Sequence, residues 1–179
     1  MVYQKITDIY ATSVDYTADT LETDRFFATV QNKLHFAITG NTAAELIEKR
    51  ANSSKENMGL STWRKDPKGK IYKSDVTIAK NYLQQVEIKK LNHIVDMYLD
   101  YAEFQASKGK PMYMKDWATK LDAFLQFNEE EILNDKEKVS RTVAAKLAVK
   151  EYEAFRVNQD QNFISDFDKA IKQLKNKKE

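Results

Sequence analysis

Six basic residues, Arg64, Lys65, Lys68, Lys70, Lys73 and Lys80, crowd the stretch from Trp63 to Lys80, against two acidic ones, Asp66 and Asp75. The local excess is +4 while the whole chain carries +2, so the positive field is confined to this stretch. Cations interleaved with an indole are the combination that grips phosphates and stacks a base. Nucleic acid or another anionic partner is therefore the chemistry these residues can serve. Lysines beside a turn are also ordinarily just solvated, and Trp63 can equally pack inward.

Acid–base chemistry has two histidines to draw on, His35 and His93. His35 shares a polar row with Arg25 and Asn32, and Glu45 lies just past a turn at Gly40. If the chain folds back there, Glu45 can orient the imidazole, with Asn32 as a hydrogen-bond donor and Arg25 as an anion clamp on a nucleotide or nucleic-acid substrate. A hydrogen-bonded histidine that locks the two helices together accounts for the same residues. His93, Asp96, Asp100 and Glu103 recur at helical spacing, a stripe able to face a divalent cation and equally the wet side of an amphipathic helix. Asp75 with Glu87-Ile88-Lys89 has the residue types of a magnesium-dependent nuclease, but Glu87 and Lys89 open a periodic helix and face different ways. A helix-start carboxylate favoured by the dipole explains Glu87 without metal. These residues call for no metal and no cofactor.

Several chemistries are excluded outright. The chain has no cysteine, which removes disulfides, thiolate metal sites and cysteine nucleophiles and fits a cytoplasmic protein. No two of its four glycines lie within five residues of each other, so neither a P-loop nor a dinucleotide-binding turn can be built. The G-x-S-x-G elbow and the H-E-x-x-H zinc helix are absent. There is no signal-peptide pattern and no membrane-length apolar run, so no membrane partner is expected.

The elements that must position these residues are mainly helical. With 179 residues, 42% of them hydrophobic, the chain suits a single multi-helix domain. Val2, Ile6, Ile9 and Tyr10 give a first helix an apolar face but no capping residue precedes it, which marks Met1 as an internal start within a longer protein. Helices are expected at 19–39 (Phe26, Phe27, Val30, Leu34, Ala37 and Ile38 inward) and from the capping box Thr42-Ala43-Ala44-Glu45. Further helices are expected at 75–83 capped by Ser74, and at 87–108, 115–127, 129–133, 141–158 capped by Ser140, and 163–174. The basic tail over 169–179 is expected to fray. Between the helices, Leu60–Trp63 and Lys70–Lys73 flank the turn sequence Asp66-Pro67-Lys68-Gly69, which predicts one small β-hairpin inserted around residues 60–73. Folded over Arg25, Asn32 and His35, that hairpin would be a flap.

The segments FFATVQNKLHFAITGNTAAELI (Phe26–Ile47), NMGLSTW (Asn57–Trp63), KSDVTIAKNYL (Lys73–Leu83), MYLDYAEFQA (Met97–Ala106) and LDAFLQFN (Leu121–Asn128) resemble the virulence-associated RhuM family of bacteria, up to about Asp168. The resemblance implies that full-length members carry an antirepressor-like, DNA-binding segment before this region, and that the present chain is similar to the C-terminal part alone. It implies no defined activity and no catalytic residues. Some members are associated with Fic-type nucleotidyl transferases, but the H-P-F-x-[DE]-G-N loop is missing: His35 is followed by Phe36-Ala37-Ile38. The expected role is a helical module for protein association or auxiliary nucleic-acid contact, with a His35-dependent enzyme acting on nucleotides or nucleic acid as the alternative. Its partners would be nucleic acid, another anionic surface, a protein, or the N-terminal domain of a longer chain.

Overall fold

The computed structural model describes residues 8–17, 21–133 and 139–163. After a helical turn at residues 8–10, the described order is α1 (Leu21–Thr39), α2 (Ala43–Arg50), a 3-10 turn (Glu56–Gly59), a second 3-10 turn (Ala79–Tyr82), α3 (Gln85–Ala106), α4 (Met114–Phe127) and α5 (Arg141–Asn162). Apolar residues at three- and four-residue spacing give each long helix one inward stripe. Val30, Leu34 and Ala37 of α1 meet Leu91, Ile94, Val95 and Tyr98 of α3 and Trp117, Leu121 and Leu125 of α4 in one buried cluster. Tyr98 stands edge-on to Trp117 and donates its hydroxyl to the Trp117 carbonyl at 2.7 Å, so a buried polar group is satisfied inside the apolar layer. On the other side, Ala144 and Ala148 of α5 are fully buried, small enough to let α5 lie close along α2. No described helix is long and apolar enough to cross a membrane.

Helix α1 ends where Gly40 takes φ +66° and its N–H reaches Phe36 O at 2.7 Å. The chain then restarts at once. Thr42 Oγ1 accepts from Glu45 N, and Glu45 Oε2 accepts from Thr42 N at 2.9 Å, the reciprocal cap that the sequence signature predicts. Asn32 Oδ1 accepts from Ala43 N at 3.1 Å, tying α1 to the start of α2.

No strand is present among the described residues, so the expected β-hairpin at 60–73 is not formed. The reason is local competition for its backbone. A ladder requires the N–H and C=O of Ile71, and both are taken by one side chain: Gln159 Oε1 accepts from Ile71 N at 2.8 Å and Gln159 Nε2 donates to Ile71 O at 3.1 Å. The amides of Tyr72 and Arg64 go to the Asp75 carboxylate at 2.8 and 3.2 Å. The opposite segment turns elsewhere, with Ser61 N and Thr62 N both donating to Asn81 O.

The same bonds break the helix expected from Asp75 to Leu83, which is reduced to turns and the 3-10 segment Ala79–Tyr82. Asn81 Nδ2 takes the Asp75 carbonyl at 2.9 Å and the Tyr82 hydroxyl takes the Val76 carbonyl at 2.8 Å, acceptors an α-helix would have needed. Ser74 caps nothing. The short helix expected at 129–133 is also absent, because Glu129 adopts φ +60° and Glu130 N folds back to Leu125 O at 2.9 Å. The expected helices at 87–108 and 141–158 run instead from Gln85 to Ala106 and from Arg141 to Asn162. The expectations for 1–7 and for 164–179, including the basic tail, lie outside the described residues.

Candidate functional site

The basic stretch is a strapped loop. Trp63 is half-buried against the core and its Nε1 donates to Gly69 O at 2.8 Å, so the indole braces the turn from within. Gly69 closes that turn through its N–H to Lys65 O at 2.7 Å, and a Cβ there would stand 2.2 Å from the Lys65 Cβ. Asp75, 3% exposed, ties the two ends together through the amides of Arg64 and Tyr72. Replacing Asp75 with Ala strands both amides and is expected to cost about 2 kcal/mol in a denaturant melt, with the Trp63 fluorescence maximum shifting red. A loss below about 0.5 kcal/mol would mean that the strap is not what orders the loop.

Strapping divides the cations into two sets. Lys70 pairs with Asp160 at 2.7 Å and lies over the Phe163 ring, while Lys65 reaches the Tyr72 hydroxyl at 3.1 Å. Arg64, Lys68 and Lys73 are exposed and make no ion pair with a described residue. Tyr72, 40% exposed, adds an aromatic ring on the same loop, with the Lys65 ammonium 5.1 Å from its centroid over one face. The Lys70–Asp160 pair also explains a depressed Asp160 carboxyl, its hydrogen bond to the ammonium being the largest cause.

Lys80 stands apart from that loop and beside His35. The two line a cavity of about 340 Å3 with Gln31 of α1 and with Arg141, the first residue of α5. Ala44, Ile47, Ile78, Ala144 and Ala145 supply apolar wall. Of the basic stretch, Thr77–Lys80 at its far end share the cavity with His35, and no residue of the expected hairpin lines it. His35 is 2% exposed, and burial pushes its pKa down to about 4, with the negative field of Glu87 acting weakly against this. The ring is neutral at physiological pH.

The proposed acid–base constellation is not assembled as a unit. Glu45 is engaged in its own helix cap, Asn32 Oδ1 holds Ala43 N, and Arg25 lies on an exposed part of α1 and lines none of the cavity. Ten residues of helix put Arg25 about 15 Å from His35 along the axis. The nuclease-like residues are likewise accounted for. Glu87 accepts two bonds from Arg50 at 2.6 Å and one from Gln84 N at 2.7 Å, and Arg50 also donates to Tyr82 O. This fork holds the Glu87 carboxyl below its ordinary range. His93, Asp96, Asp100 and Glu103 lie on the exposed side of α3, and no group of three or more potential ligands for a metal ion occurs among the described residues.

Sequence reasoning missed Arg141 and Gln159. Neither carries a motif signal, since each matters only because α5 folds back against α2 and the loop. Ser140, the cap that fixes where α5 starts, was the nearest legible clue to Arg141.

No curated protein and no solved structure matches this sequence. The model of the Virulence protein RhuM family matches residues 1–163, nearly the whole chain, and the fold described above carries every segment on which the resemblance rested. The chain belongs to the RhuM family of virulence proteins.

Proposed function

We propose that this chain is a non-catalytic binding module, one helical domain working in the bacterial cytoplasm, that contacts nucleic acid as an auxiliary surface of a larger protein. The observation that carries the reading is the division of cations on the strapped loop: Arg64, Lys68 and Lys73 are exposed beside Tyr72, while their neighbours Lys65 and Lys70 are engaged within the fold. A loop held by Asp75, Gln159 and Trp63 presents these three charges with little ordering entropy still to lose on binding. A preference for single strands follows from the Tyr72 ring, whose face opposite Lys65 can carry an unstacked base. Catalysis by His35 is not favoured, since Glu45 is committed to the cap of α2 and the imidazole is buried and neutral.

Fluorescence anisotropy with a labelled single-stranded oligonucleotide tests the reading at low salt. The triple variant Arg64→Gln, Lys68→Gln, Lys73→Gln is expected to bind roughly tenfold more weakly while melting at the wild-type temperature. Equal affinity of the two proteins would remove the strapped loop as the contact surface, and no binding by wild type would remove nucleic acid as the partner and leave protein association.

A further inference from the structure

The cavity between α1, α2, α5 and the Ala79–Tyr82 turn has a chemistry distinct from the loop. Two cations, Lys80 and Arg141, reach it from different elements, a buried imidazole and the Gln31 amide add polar groups, and no carboxylate is among its lining residues. A void of this size falls within the range of small-ligand sites, and a lining whose charged residues are both cations disfavours metals and amines. The first turn of α2 lines the cavity through Ala43 and Ala44. Ala43 N goes to Asn32, Glu45 N to the Thr42 hydroxyl and Leu46 N to the Thr42 carbonyl. The amide of Ala44, a residue 1% exposed that lines the cavity, has no acceptor among the described residues. A first-turn amide has no intrahelical partner, and an anionic oxygen is an acceptor matched to a helix start.

We propose that this cavity binds a small organic phosphate monoester, its phosphate drawn by Lys80 and Arg141 and its apolar body set against Ile47, Ile78 and Ala145. A phosphate is favoured over a carboxylate because two positively charged side chains from different elements line one cavity, matching a dianion. The site is independent of the nucleic-acid surface: none of Arg64, Lys68 or Lys73 lines it.

The test uses phenyl phosphate as probe and the histidine side-chain NMR signals as readout. The chain has two histidines, so exposed His93 on α3 serves as an internal control for His35. Phenyl phosphate is expected to shift the His35 signals saturably and leave His93 unmoved, with phenol inactive and inorganic phosphate weaker. Lys80→Gln and Arg141→Gln, both at solvent-reached positions, should each weaken binding about tenfold. Ala145→Phe, at a half-buried wall position, should abolish binding while the remaining amide spectrum stays native. Absence of a saturable shift, inorganic phosphate binding as tightly as phenyl phosphate, or insensitivity to all three substitutions would each overturn the proposal.

Discussion

Gly59→Ala is expected to destabilise the protein by about 3–5 kcal/mol. Gly59 adopts φ +82°, and an added Cβ would stand 2.2 Å from the Arg50 carbonyl oxygen, which is backbone and cannot rotate away. Asn57 and Met58 also have positive φ, at 50° and 58°. Asn tolerates this region, but Met58 is held there by complete burial of its side chain, so the turn is already strained before Gly59 is reached. The consequence extends to the site, since Arg50 grips Glu87 and the Tyr82 carbonyl on the edge of the cavity roof. Denaturant unfolding of Gly59→Ala measures the loss. A penalty below about 1 kcal/mol would mean that the chain leaves α2 by a different path.

The second large effect is a loss of stability on acidification traceable to His35. Its folded-state pKa of about 4 lies below the ordinary value of 6.5, so the unfolded chain binds the proton more readily. Stabilisation from this residue is complete above pH 6.5 and declines as pH falls toward 4, with a slope approaching about 1.4 kcal/mol per pH unit. The total is on the order of 3 kcal/mol. Glu87 acts in a lower window: Arg50 holds its carboxyl below the ordinary value of 4.5, so its contribution is lost only as pH falls beneath that value. Urea unfolding at about pH 7.5 and pH 5 separates the two. Wild type should lose stability over this interval much more steeply than His35→Gln, which has no imidazole to protonate. Parallel losses would show that His35 is hydrated and chargeable in the folded state, restoring its candidacy as an acid–base group.

What could be read from the sequence was what neighbouring residues decide among themselves. Apolar spacing located α1, α3, α4 and α5, and the Thr42 and Ser140 caps marked two helix starts to the residue. The basic stretch was misread where distant residues decide. Asp66-Pro67-Lys68-Gly69 does make a turn, but whether its flanks pair as strands depended on Gln159, far along the chain, which occupies both backbone groups of Ile71. Asp75 is the first residue of a helix expected behind a Ser74 cap, and in the fold it satisfies amides that precede it in the chain. Glu45 illustrates the converse: the capping box and the imidazole partnership compete for one carboxylate, and the bond three residues away is held in the fold. Local signals also group Lys80 with the other lysines, although the path of the chain brings it to the cavity that His35 lines.

The most direct test of the module reading is the salt dependence of oligonucleotide binding for three proteins of matched fold. The first is wild type and the second is the Arg64→Gln, Lys68→Gln, Lys73→Gln variant. The third has the same charge change placed elsewhere, as Lys89→Gln, Lys146→Gln, Lys150→Gln, all exposed positions on α3 and α5. The loop variant should show a slope of log affinity against log salt shallower by about 2, as expected when three phosphate contacts to a single strand are removed, whereas the control should keep the wild-type slope. Equal slopes for the two variants would contradict the account, because charge alone and not the strapped loop would then govern contact.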